Sequence, residues 1–164
     1  NGDVTVTQSG NSLTVVGGNL VFPGTATNNS AAAGVVGELI ESEILIGSAV
    51  SLTTATTANI TSISLTAGDW DVWGNVVTTV NAATTISQLE VGIGQTSATL
   101  PTRPGSGSTT VYTSAVAAGS NIAIPAGTRR ISLSATTTVY LLANMTFAVN
   151  VASGYGYLGA RRRR

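Results

Sequence analysis

Two acidic residues on either side of a tryptophan are the first place in this sequence where catalytic or metal-binding chemistry is conceivable. Asp69 and Asp71 have the i, i+2 spacing that puts both carboxylates on one face of a β-strand. Such a pair can serve as a general acid and base or as part of a calcium site. Asp69 follows Gly68 in a predicted turn, where aspartate commonly bonds its own backbone, and no third ligand is near in sequence. We therefore expect no metal site here.

The rest of the composition offers few groups for catalysis. The 164 residues include no Cys, no His and no Lys, and only 9% are charged. Enzymes usually recruit His, Cys, Lys or paired carboxylates as acids, bases and nucleophiles. Glu38, Glu41 and Glu43 are spread along one predicted strand, where we expect them to be solvated or paired with Arg129 and Arg130. The composition predicts a non-enzymatic protein without a cofactor.

Aromatic residues and a flexible loop offer binding surfaces instead. Trp73 could stack on a sugar, although the interpretation we favour puts Trp70 in the core and Trp73 in a subunit interface. Arg103 lies in the Gly/Ser/Pro-rich loop 101–108 and Tyr112 follows it closely. Binding residues concentrate on such loops. Trp73, Arg103 and Tyr112 are therefore the candidate ligand-binding residues.

The basic tail formed by Arg161, Arg162, Arg163 and Arg164 is the sharpest charge feature of the sequence. Nucleic-acid binding requires basic residues elsewhere as well, so none is expected. Repeated in an oligomer, the tail could contact an acidic neighbouring subunit or the phosphates of host lipopolysaccharide. The alternative is a frayed, solvated tail, and the sequence leaves both open.

Strand-like runs separated by turn residues must position these side chains. They predict an all-β fold of about eight main antiparallel strands, as in a sandwich or jelly roll. No apolar run reaches the roughly 18 residues of a membrane span, so we expect no membrane insertion. The predicted strands cover 38–46, 49–53, 60–66, 70–80, 86–93, 109–116, 121–124, 128–134 and 137–151.

The first 34 residues differ from the rest of the chain. Gly10, Gly17 and Gly24 recur every seven residues and separate short β-prone pieces. Three chains wound together could bury these pieces in a fibre shaft, whereas a single chain could pack them as an edge hairpin. We expect a shaft or anchor over 1–34 and a jelly-roll head over 35–164. Because the chain begins at Asn1, we also expect an N-terminal piece to have been removed or left unobserved.

Alternation of apolar residues assigns the faces of the two longest predicted strands. A strand with large apolar groups on both faces is buried on both. Trp73, Tyr140 and Leu142 point away from the predicted core, so we expect them at a subunit interface. The aromatic-poor composition is thin for a free-standing sandwich and favours a homotrimer. The predicted core consists of Trp70, Val72, Val76, Leu141, Met145, Phe147 and Val149.

Three segments resemble virion proteins of tailed bacteriophages. In 62–76 a strand is followed by Ala-Gly and an aromatic-x-Val pattern, 124–133 leads into a long strand, and 155–160 precedes the basic tail. The resemblance covers about residues 37–164. It implies a trimeric jelly-roll head, similar to those of the tumour-necrosis-factor and complement type, at the end of a fibre. It carries over no functional residue.

These observations predict a structural protein on the virion surface, and three functions fit them. The leading prediction is attachment to the host surface, with a glycan as the expected target. The second is a head fibre or capsid decoration protein that binds other virion proteins of the capsid or tail. A cellular surface-filament subunit is also compatible with the composition.

Overall fold

The computed structural model describes residues 27, 29–81, 83–102, 107–110, 115–148 and 151–164. Most of the predicted shaft therefore lies outside the described residues, as do Arg103, Tyr112 and Val149. The described part consists of β-strands and one short 3-10 turn, Ile46–Ser48. It contains no helix long and apolar enough to cross a membrane. The strands are β1 (Leu39–Ile44), β2 (Val50–Leu52), β3 (Ala58–Leu65), β4 (Gly68–Val80), β5 (Thr84–Gly94), β6 (Gly107–Thr110), β7 (Ala115–Val116), β8 (Asn121–Leu133), β9 (Thr137–Phe147) and β10 (Ala152–Arg162).

The strands form two antiparallel sheets with jelly-roll connectivity. Sheet 1 has the order β1-β10-β4-β8, and β2 pairs with β10 on the edge that β1 also occupies. Sheet 2 has the order β3-β9-β5-β6, and β7 pairs with β5. If β1 with β2 and β6 with β7 are each taken as one interrupted strand, the chain crosses between sheets at every connection except β5 to β6. This arrangement is an eight-stranded jelly roll, which confirms the predicted fold class.

The core between the sheets is mainly aliphatic. Trp70, Val72, Val76, Leu141 and Met145 are all buried, as the sequence predicts. Isoleucine, leucine, valine and alanine supply most of the remaining buried surface.

The apolar face predicted over 137–151 is longer than the strand that carries it. Strand β9 ends at Phe147, whose side chain is only half-buried against the core. Val151 lies beyond the strand and is 52% exposed. The prediction of one strand over 137–151 is therefore wrong at its C-terminal end.

Strand β8 joins two predicted strands across a segment that the sequence marks as a turn. The pairing with β4 shifts register between Gly127, opposite Gly74, and Pro125, opposite Asn75, so Ala126 is the extra residue of a β-bulge. Gly127 has a φ of +77°, which glycine tolerates well. Since β8 is an edge strand, Pro125 interrupts no inner ladder. The predicted turn is a bulge.

Strand β10 is the element that sequence patterning missed. It lies inside sheet 1 between β1 and β4, although it contains Gly154, Gly156 and Gly159. A Cβ on Gly156 would lie 2.1 Å from the Asn75 carbonyl oxygen. Glycine therefore allows a close approach here, even though it is generally unfavourable in strands.

Candidate functional site

Asp69 and Asp71 both form ion pairs with arginines. The Arg130 guanidinium donates from Nε and Nη2 to the two Asp69 oxygens, both at 2.8 Å, and Arg164 Nε lies 3.1 Å from the same carboxylate. The Arg130 hydrogen bond holds the pKa of Asp69 below its usual value, despite the opposing effect of burial. Arg163 Nε lies 3.4 Å from Asp71. No group of three metal-ligating side chains occurs among the described residues.

Arg162 is not part of a solvated tail, because its side chain is buried inside the folded domain. It is only 5% exposed and donates from Nε to Glu38 at 2.8 Å. It also donates to the Ala67 carbonyl at 2.8 Å and to the Thr66 hydroxyl. Its guanidinium carbon lies 4.3 Å from the centre of the Trp70 ring, in a cation–π contact. We call Glu38, Arg162 and Trp70 the C-terminal clasp.

Glu38, which we expected to be solvated or paired with Arg129 or Arg130, is instead buried and forms the anionic half of the clasp with Arg162. Burial alone would raise the pKa of its carboxyl group, but a 2.8 Å hydrogen bond from the Gly34 amide, together with the bond and charge of Arg162, lowers it overall. The backbone adds two bonds, from Arg162 N to Glu38 O and from Gly37 N to Arg162 O. The clasp therefore ties the end of β10 to the start of β1.

The four arginines consequently have different environments. Arg161 is exposed on the outer face of sheet 1, while Arg162 faces inward. Arg163 and Arg164 are at least half-exposed and pair with the two aspartates. Strand alternation divides the run, and continuing the period-two pattern through β10 is the sequence signal that would have separated them.

Trp73 belongs to an array of polar and aromatic side chains on the outer face of sheet 1. A Cβ on Gly159 would lie 2.9 Å from the Trp73 ring and 2.6 Å from the Tyr157 oxygen, so both side chains cover that glycine. The Tyr157 hydroxyl donates to the Glu41 carboxylate. Burial, followed by the Glu41 bond and charge, raises the pKa of Tyr157 to about 12, while a hydrogen bond from Trp73 opposes the shift. We call Glu41, Trp73 and Tyr157 the Trp73 array.

Tyr140 and Leu142 lie on the outer face of sheet 2, on the opposite side of the molecule from Trp73. Tyr140 is half-buried, whereas Leu142 is fully buried within the single chain. Leu142 Cδ1, Thr99 O and Pro101 Cδ all lie within 3.6 Å of the position that a Cβ on Gly94 would take. The loop after β5 therefore covers Leu142 without a partner subunit. An interface role for Trp73, Tyr140 and Leu142 stays a prediction.

Of the three predicted ligand-binding residues, the structure describes only Trp73, which lies on sheet 1, so their binding role stays a prediction. Arg103 and Tyr112 themselves lie outside the described residues.

Aromatic side chains are placed outward more often than inward. The structure describes six of them: Trp70 is in the core and Phe147 is at its edge. The other four are half-buried on outer faces of the sheets: Trp73, Tyr140, Tyr155 and Tyr157. Aromatic residues are enriched at recognition surfaces because one flat side chain offers both apolar area and a polar group.

A groove adjoins the Trp73 array on the same outer face. It has a volume of about 350 Å³ and opens where β1 gives way to the 3-10 turn. We call it the Tyr155 groove; its lining includes Glu43, Leu45, Ile46, Asn75, Tyr155 and Tyr157.

Comparison with known proteins finds fold-level likeness only. No protein-family model matches the chain, and no curated protein is significantly similar to it. A chain of the T13 IBDV viral particle is 12% identical over 88% of this chain and 36% of its own length, with a TM-score of 0.47. A chain of infectious bursal disease virus, Gx strain, is 14% identical over 76% of this chain and 30% of its own, with a TM-score of 0.40. This chain thus spans about a third of those chains. A likeness at this level carries no argument about function.

Proposed function

We propose that this chain is a non-enzymatic structural subunit of a virus particle, which acts by binding other virion subunits as a decoration protein or head fibre does. The observation that carries the proposal is the outward placement of Trp73, Tyr140, Tyr155 and Tyr157 on a jelly roll with an aliphatic core. Tryptophan and tyrosine are the residues that most often dominate binding energy at protein interfaces.

The carboxylates support a non-enzymatic role because the two buried ones, Glu38 and Asp69, are each neutralised by an arginine. Glu38 is bound by Arg162, and Asp69 is bound by Arg130. Glu41 and Glu43 share the outer face of β1, but Glu43 lines the Tyr155 groove and Glu41 lines a separate one beside Arg161. Most glycosidases use two carboxylates that flank one scissile bond, and Glu41 of this pair is instead bound by the Tyr157 hydroxyl.

The proposal includes a homotrimer. In a cyclic trimer each subunit uses two different patches, one for each neighbour. The Trp73 array on sheet 1 and Tyr140 on sheet 2 supply two different patches on opposite faces. If the rotation between neighbours does not close, the same contact gives an open fibre instead. The phage origin, the surface location and the shaft over 1–34 are further parts of this proposal, and their support is the sequence resemblance.

Sedimentation of the purified chain tests the assembly. We expect a trimer at micromolar concentration, and we expect Trp73→Ala and Tyr140→Ala each to shift it toward monomer. Thr79→Ala, on the same outer side of β4 as Trp73, is the matched control and should leave the trimer intact. A wild-type monomer at micromolar concentration would overturn the homotrimer. Immuno-electron microscopy of purified particles tests the virion assignment, which fails if the chain is absent from them.

A further inference from the structure

The Tyr155 groove combines apolar walls with polar groups at fixed positions. Leu45 and Ile46 form one wall and remain 64% and 58% exposed, although they are large aliphatic side chains. Asn75 on β4 and Tyr155 on β10 are held by paired strands in the middle of sheet 1. The strands fix these side chains, so a ligand would meet a preformed surface.

Three of the polar side chains in the groove are unused within the described part of the chain. Glu43, Asn75 and Tyr155 have no side-chain hydrogen bond to any other described residue. Tyr157, by contrast, is already committed to Glu41. The groove therefore offers one carboxylate, one carboxamide and one phenol to a ligand. Together they can accept and donate several hydrogen bonds at once.

We propose that the Tyr155 groove binds the ring of a neutral sugar. A pyranose has an apolar C–H face, which suits the aliphatic wall and an aromatic ring, and a rim of hydroxyl groups that both donate and accept hydrogen bonds. The carboxylate of Glu43 and the carboxamide of Asn75 match that rim. At about 350 Å³ the groove is at the small end of ligand sites and suits one or two rings.

The charge around the groove selects against acidic sugars. Glu43 lines the groove and Glu41 lies beyond Tyr157 on the same face, and Glu43 has no cationic partner among the described residues. A sialic acid carboxylate or a phosphate would therefore meet repulsion, which makes neutral sugars the specific expectation. This site would give the protein a carbohydrate contact, and the inference does not depend on the trimer or on a virion location.

Saturation-transfer NMR on the full chain tests the site. The probes are methyl glycosides of glucose, galactose, mannose and N-acetylglucosamine, with sialyllactose as the acidic comparison. We expect at least one neutral probe to bind with millimolar affinity, and Tyr155→Ala or Asn75→Ala to weaken it at least tenfold. Thr79→Ala is the matched control, since Thr79 lies on the same outer face of sheet 1 but outside the lining of the groove, and it should leave sugar binding unchanged.

The outcomes separate this site from the proposed assembly. The proposal fails if none of the four neutral probes binds at about 20 mM, which is above the millimolar Kd expected, or if sialyllactose binds as well as they do. It also fails if Tyr155→Ala changes sedimentation but not sugar binding, because the groove is then a subunit contact. If Tyr155→Ala unfolds, Glu43→Gln takes its place, since this exposed residue can lose its charge without loss of packing, and it should still weaken neutral-sugar binding.

Discussion

Replacing Arg162 by alanine should destabilise this protein more than any other single change in the C-terminal arginines. The substitution would leave the Glu38 carboxylate buried without its cation. It would also leave the Ala67 carbonyl without a donor and would remove the cation–π contact with Trp70. Breaking a buried ion pair by deleting one partner costs about 3–5 kcal/mol, because the remaining charge is uncompensated. The cation–π contact, about 0.5–2 kcal/mol by itself, overlaps with that figure and is not added to it.

Arg163, the next residue in the chain, provides the matched comparison for Arg162. Arg163 has the same charge one residue later, but it is 50% exposed and its partner Asp71 is 39% exposed. Exposed ion pairs contribute about 0–1 kcal/mol, so Arg163→Ala should be nearly silent. For a chain of this size each kcal/mol shifts Tm by about 2–4 °C, so Arg162→Ala should lower Tm by about 6–20 °C and Arg163→Ala by no more than about 4 °C.

Thermal unfolding followed by circular dichroism measures both variants. The pair Glu38→Gln with Arg162→Met should recover part of the stability lost in Arg162→Ala, because no unpaired charge is then buried. Equal Tm values for Arg162→Ala and Arg163→Ala would refute the buried clasp. The clasp would also be refuted if the double variant lost more stability than the summed losses of Glu38→Gln and Arg162→Met, each measured alone.

Three further predictions concern pH and backbone packing. Because the folded-state pKa of Glu38 is lowered, its contribution to stability is present above about pH 4.5, the ordinary value, and is lost as pH falls through the folded-state pKa. In Glu38→Gln the Tm should therefore fall less steeply at acidic pH than in the wild type, and an equally steep fall would contradict this. The pKa of Tyr157 is raised to about 12, so absorbance titration at alkaline pH should show a late tyrosine step that Tyr157→Phe removes, while stability falls as pH rises from 10.0 toward 12 in the wild type only. Gly156→Ala would put a Cβ 2.1 Å from the Asn75 carbonyl oxygen and should cost about 1–3 kcal/mol or more in a denaturant melt, whereas Gly119→Ala, with no atom within 4 Å, tests the penalty of a positive φ without a clash.

The sandwich was predictable because its pattern is local. Alternation along β4 places Trp70, Val72 and Val76 on one face, and each of these residues is buried. Alternation in β9 does the same for Leu141 and Met145. A period of two involves only residues that are close in sequence, so it can be recognised without knowledge of the fold. The bulge at Ala126 was not predictable in this way, since Pro-Ala-Gly marks a turn unless the strand is known to lie at an edge.

The clasp was hidden for the opposite reason, because its partners are distant in sequence. Glu38 and Arg162 are 124 residues apart, and nothing local to either residue indicates the other. A run of four arginines suggests a solvated patch when it is considered alone. Only the knowledge that β10 continues to Arg162 places alternate arginines on opposite faces.

Strand β10 explains why the outer surface was the hardest part to foresee. Its glycines weaken the strand pattern, yet they are what the surface requires: Gly159 lies beneath Trp73 and Tyr157, and Gly156 forms part of the lining of the Tyr155 groove. A side chain at position 159 would collide with both aromatic residues, so the array requires glycine there. Gly159 removes bulk from the outer face of sheet 1, and the side chains of Trp73 and Tyr157 cover the space that this leaves. The residues that obscured the strand therefore shape the surface on which both proposed contacts depend.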